Sequence, residues 1–117
     1  MELFTVLQQA GVDVETTLHR FVGNAALLNR FVKKFAQDPT YQQLRDAVAA
    51  GDVERIETSA HTLKGTAANL GFQKLSDNSA ALVSAIREQK DAEQVRRLFQ
   101  AVQEEYQKLL SLIDLID

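Results

Sequence analysis

Seven apolar residues near the C-terminus, Val95, Phe99, Val102, Tyr106, Leu109, Ile113 and Ile116, follow one another in steps of four and three. A strand cannot gather such a set on one side, because its side chains alternate faces at every residue. A helix can, and the pattern is a heptad seam, the signature of left-handed helix-bundle packing. A long helix with one apolar seam has to be covered by other helices, so the rest of the chain is expected to supply them.

The punctuation of the sequence agrees. Asp13 is placed to cap a short helix ending near Gly23, and Asn24 to cap the next, NAALLNRFVKKFAQ. In that segment Leu27, Leu28, Phe31, Val32 and Phe35 recur at helical spacing. Asp38-Pro39 reads as an N-cap followed by proline in the first turn, opening a helix through Tyr41, Leu44 and Val48 to Gly51. The short break also allows one long helix kinked at Pro39. Asp52 caps a further helix that Gly71 can end in a left-handed conformation. The next is predicted from Phe72 to Gln89, with Leu75, Leu82 and Ile86 toward the core, and Asp91 caps the last. Leu3, Phe4 and Leu7 suit an N-terminal segment packed on the bundle. The expected fold is all-α, an antiparallel four-helix bundle with one or two short N-terminal helices covering one end. It is read as a single domain over residues 1–117.

Composition removes several function classes. The chain has no cysteine, which excludes disulfides and thiolate metal sites. A net charge of -3 gives no basic excess of the kind that nucleic-acid binding requires. The start MELFTVLQQAGVDVE lacks the basic residues and apolar run of a secretory signal, and no stretch is long enough to insert in a membrane. A cytoplasmic location is expected. So is a monomer, since a closed bundle satisfies its own core.

The remaining feature is AHTLKGTAANLG, residues 60–71, which places Gly65 inside a helix at a cost of roughly 1 kcal/mol relative to alanine. Projected at ~100° per residue, Val53, Ile56, Ala60, Leu63, Ala67 and Leu70 form the buried stripe of this helix. His61 falls roughly 130° from the centre of that stripe. Its neighbours on the outer face are Glu54, Glu57, Thr58, Lys64, Gly65 and Ala68. A structural core histidine belongs on the stripe, and this one is off it. A metal site would need further ligands at the third or fourth residue along, and those positions hold Lys64 and Gly65. No serine or cysteine nucleophile accompanies the imidazole on this face. What is left is histidine as a nucleophile in its own right, since an exposed neutral imidazole carries a free nitrogen lone pair that can attack an activated phosphoryl group. Lys64 can stabilise phosphoryl oxygens, and Gly65 with Ala68 keeps the neighbouring turns low enough for a partner to close over the ring.

Those residues carry a resemblance. His61-Thr62-Leu63-Lys64-Gly65 with Leu70-Gly71 is similar to the signature of histidine-containing phosphotransfer (HPt) domains. GVDVETTLHRFVGNAALLNRFVKKF and AAGDVERIETSAHTLKG resemble the same family outside the motif, so the likeness runs from about Gly11 to the C-terminus. It implies a bundle that carries a phosphoryl group between receiver domains of response regulators or hybrid sensor kinases. His61 would be the phosphoacceptor, Lys64 the basic residue near the phosphate, and Gly65 the opening for a receiver's aspartate. The docking strip would comprise Glu57, Thr58, Lys64, Gly65 and Ala68. No cofactor is expected in this chain, and Mg²⁺ is expected on the receiver. Some members of the family place a polar side chain on the following helix to hold the second ring nitrogen, and the aligned position here is Val83. With no Gly-rich nucleotide loop or carboxylate cluster, ATP-dependent kinase activity is not expected. A kinase dimerisation domain would place an acidic residue directly after the histidine, where this chain has Thr62. The rival reading is a helical docking or scaffold module without phosphate chemistry. His19, Lys33, Lys34, Arg96 and Arg97 are read as solvated surface.

Overall fold

Helices start where the sequence offers a side-chain oxygen to an unpaired backbone N–H. The computed structural model describes residues 1–117 and contains seven helices: α1 (Leu3–Gln9), α2 (Val14–Arg20), α3 (Ala25–Phe35), α4 (Thr40–Ala50), α5 (Val53–Asn69), α6 (Gln73–Arg87) and α7 (Ala92–Ile113). Asp13, Asn24, Asp52 and Asp91 accept from the backbone N–H of Thr16, Leu27, Arg55 and Gln94 at 2.9–3.2 Å. Each such cap stabilises its helix by about 1 kcal/mol. Glu2 does the same for α1, accepting from Phe4 at 2.7 Å. The Asp38 carboxylate bonds the Thr40 amide at 2.8 Å, so α4 begins one residue beyond the proline. Ala36 to Pro39 form a turn, and α3 and α4 are two helices rather than one kinked helix.

In the bundle α4 packs on α5, α5 on α6 and α6 on α7, and α4 meets α7 to close the ring. Hydrogen bonds from Ser76 to the Lys64 carbonyl and from Arg87 to Glu57 run α5 and α6 antiparallel. Helix α3 adds Leu28, Val32 and Phe35 to the same core, and α1 lies against α2 and α7. The seam of α7 is buried from Val95 to Ile113. The helix ends there, leaving Ile116 half-buried just beyond it.

Two expected core positions lie outside. Val53 is 55% exposed because it opens α5 at the bundle end, where an apolar cleft lined also by Val48, Ile56, Ile86 and Val95 stays open. Phe31 is 41% exposed. It sits at the α3–α5 edge, tilted against Phe21 with ring centroids 5.4 Å apart.

Five aromatic rings run through the core in contact: Phe72 to Phe35 at 5.2 Å, Phe35 to Tyr106 at 5.7 Å, Tyr106 to Tyr41 at 3.9 Å, and Tyr41 to Phe99 at 5.9 Å. This column ties the α5–α6 turn to α3, α4 and α7. Burial pushes the phenols of both tyrosines above their ordinary pKa; Tyr41 and Asp38 reinforce the shift at Tyr106, while Gln103 and Arg45 oppose it at Tyr41. A raised folded-state pKa means the unfolded chain ionises first. The tyrosines' contribution is therefore complete below about pH 10 and lost as pH rises through the folded values. Denaturant midpoints should hold level to about pH 9.5 and then fall, ahead of the rise in tyrosinate absorbance of the folded chain. A midpoint that stays level while tyrosinate forms would contradict this account.

The end of α5 shows why the chain turns where it does. Gly71 has φ +82°, and its N–H bonds the Ala68 carbonyl while the Phe72 N–H bonds Ala67, the paired bonds of a Schellman stop. No helix is long and apolar enough to cross a membrane.

Candidate functional site

Helix α5 divides its residues as its amphipathic pattern requires. Ile56, Ala60, Leu63 and Ala67 are at most 2% exposed, whereas His61, Lys64 and Gly65 are exposed on the opposite side. Thr58 and Glu54 are exposed beside them, and Ala68 is half-buried. A Cβ built on Gly65 would meet nothing within 4 Å. Nothing inside the chain therefore requires glycine at this position. Because Gly65 lies one turn after His61 and side chains lean toward the helix N-terminus, any side chain here would extend over the imidazole.

Hydroxyl groups on this helix are already engaged. Thr58, Thr62 and Thr66 donate to the carbonyls of Glu54, Thr58 and Thr62 at 3.0–3.1 Å. Their oxygens are turned toward the backbone, so they do not compete with the exposed His61 imidazole for a partner on this face. Lys64 is uncommitted as well, since the cations of the chain's ion pairs are the Met1 ammonium, Lys74, Arg87 and Arg97.

Two other helices border the strip. On one side the α5–α6 register, fixed by the Ser76–Lys64 bond at 3.0 Å and the Arg87–Glu57 pair at 3.1 Å, sets His61 opposite the turn from Ala80 to Ser84. Val83 in that turn is 5% exposed and brings only methyl groups. Glu57, one of the expected docking residues, is half-buried and paired with Arg87.

On the other side a groove of about 680 Å³ runs between α3 and the C-terminal half of α5. Phe31, Lys34, Gly65, Thr66 and Asn69 line it. The Lys34 ammonium stands 5.8 Å from the centroid of Phe31. Lys34 is exposed, as read from the sequence, and edges the groove that reaches Gly65. Lys33, also exposed, bonds the Asp117 carbonyl at 2.9 Å. Arg20 closes the end of α5, donating to the Ala68 carbonyl at 3.1 Å. That contact satisfies a carbonyl at the negative end of the helix. His19 is exposed, as read from the sequence.

The sequence reading does not place Phe31, Lys34 or Arg87 at the border of this strip. The one available signal for Phe31 was two consecutive aromatic-bearing turns, Phe31 and Phe35, on a helix whose core face needed only Leu28, Val32 and Phe35.

The model of one family, the Hpt domain, matches residues 26–112. The chain belongs to the Hpt domain family. The match spans α3 to α7 and contains the whole His61–Gly71 segment. Searches of curated proteins and of solved structures find no match. Hpt domains serve histidine phosphotransfer in phosphorelays, engage the receiver domains of two-component systems, and are phosphocarriers rather than kinases.

Proposed function

We propose that this Hpt domain carries a phosphoryl group on His61, taking it from an aspartyl phosphate of one receiver domain and giving it to the aspartate of another. The observation that carries the reading is the exposed imidazole beside Gly65, a helix-interior glycine with open space where its side chain would be. That clearance has no use within the fold and suits a partner's active site closing over the ring.

In the transfer step the lone pair of a ring nitrogen attacks phosphorus, and the bond from phosphorus to the aspartyl oxygen breaks. The electron pair leaves on the receiver's carboxylate. The second ring nitrogen then releases its proton to solvent, leaving a neutral ring that bears the phosphoryl dianion. Lys64, one turn along, balances the phosphoryl charge. The receiver's carboxylates would hold Mg²⁺, which offsets charge on the transferring group. The strip of Thr58, Lys64, Gly65 and Ala68, with the Phe31–Lys34 groove beside it, is the surface on which the receiver docks. The bundle works as a monomer.

The test is incubation with a phosphorylated receiver. The wild-type chain should acquire acid-labile label, and His61→Ala should acquire none while melting like the parent. Label on His61→Ala would sink the proposal. Lys64→Ala should slow acceptance about tenfold, the scale of one charge-assisted contact. A pure docking module would bind the receiver equally well with either residue changed and would never acquire label.

A further inference from the structure

The pair formed by Glu57 and Arg87 stands one helical turn from His61, bridging α5 and α6. Glu57 is four residues before the imidazole on the same helix, which puts their Cβ atoms roughly 6 Å apart. Arg87 Nε meets Glu57 Oε2 at 3.1 Å, leaving its other guanidinium donors unused. The Arg87 side chain is 61% exposed and so keeps freedom to swing, and Glu57 is 37% exposed. Val83, one turn earlier on α6, offers the imidazole nothing polar. Arg87 is therefore the cation that α6 brings to this face, and a carboxylate holds it in readiness.

We infer that Arg87 is a second phosphoryl ligand, and that phosphorylation of His61 exchanges its partner from Glu57 to the phosphoryl oxygens. The inference rests on the phosphotransfer reading above. A phosphoryl group on a ring nitrogen carries a charge of about -1.5 to -2 against a single charge on Glu57. Its oxygens also match the guanidinium fork, which a lone Nε contact uses only in part. Lys64 from α5 and Arg87 from α6 then flank the phosphoryl group. Glu57 has two roles. It positions the guanidinium before transfer, and it competes for it afterwards, so the phosphorylated state is stabilised only in part. A carrier that must pass its cargo on needs that restraint.

The equilibrium constant for transfer tests the exchange without interference from docking, because it depends only on the free species at the two ends. A receiver domain that labels the wild-type chain is charged with acetyl phosphate, mixed with each variant, and the label is partitioned at equilibrium. Arg87→Ala should shift the partition about fivefold toward the receiver, the upper range for one exposed charge pair. Glu57→Gln should shift it about twofold the other way, because Arg87 is then free for the phosphoryl group. A merely structural ion pair predicts shifts of the same sign, or none, since either substitution breaks it. In an Arg87→Ala background, Glu57→Gln should have no further effect. If it still favours the phosphorylated chain there, simple repulsion between Glu57 and the phosphoryl group explains the result and the exchange is wrong. Arg87→Lys should keep less than half of the wild-type shift, since an ammonium lacks the fork. Failure of the wild-type chain to label overturns the phosphotransfer reading and this inference together. Normal labelling of the wild type with identical partition in Arg87→Ala overturns only the inference.

Discussion

Gly65→Gln is expected to leave the bundle at least as stable as the parent while lowering phosphoryl acceptance by about 10²-fold, the cost of misplacing a reacting group by an ångström or so. The two effects separate because they have different origins. Glutamine is a better helix former than glycine by about 0.5–1 kcal/mol, and beyond the local helix backbone and adjoining residues no atom lies within 4 Å of the new Cβ. Nothing opposes that gain. The added side chain instead projects toward the preceding turn, over His61, where the receiver's aspartate has to arrive. Gly65→Ala should show the same division in milder form. Thermal melts and labelling rates on the same samples check the point. Unchanged labelling in Gly65→Gln would mean that the partner approaches from another side.

Gly71→Val should do the reverse, lowering stability by about 3 kcal/mol through a strained backbone and an overfilled site. For a chain of this size that is a fall of about 10 °C in Tm. With φ at +82°, an L-side chain is strained before any contact is considered. Its Cβ would also overlap Thr17 Oγ1 and come within 2.8 Å of Val12 Cγ1, both in the N-terminal layer. Gly51 isolates the first term, since its φ is +66° but no atom lies near the new Cβ. Gly51→Ala should therefore cost only about 1 kcal/mol. Equal losses at the two positions would show that crowding against Thr17 and Val12 contributes nothing.

Most of the fold is legible because its signals are local. Asp13, Asn24, Asp52 and Asp91 each cap a helix through a bond to the amide three residues on, and that spacing is visible in one dimension. The outward placement of His61 follows from periodicity alone, for the same reason. Periodicity does not say where a neighbouring helix ends, and there the reading failed. Val53 is in register with the α5 stripe but lies past the cover of the bundle. Phe31 is at helical spacing with core residues yet lines a groove. The Arg87–Glu57 pair and the Arg20 cap on α5 join residues 30 and 48 apart in sequence, and no local pattern announces either. The border of the candidate site is thus tertiary, while its centre is local.

The aromatic column has an optical consequence. The chain contains no tryptophan and two tyrosines. Both tyrosines lie in that column, 7–8% exposed, with ring planes 8° apart. Near-ultraviolet signals therefore report the integrity of the interior and are blind to the outward face of α5. In a mixture with a partner, any indole emission belongs to the partner. A tryptophan placed at Phe31 would give this surface a voice of its own.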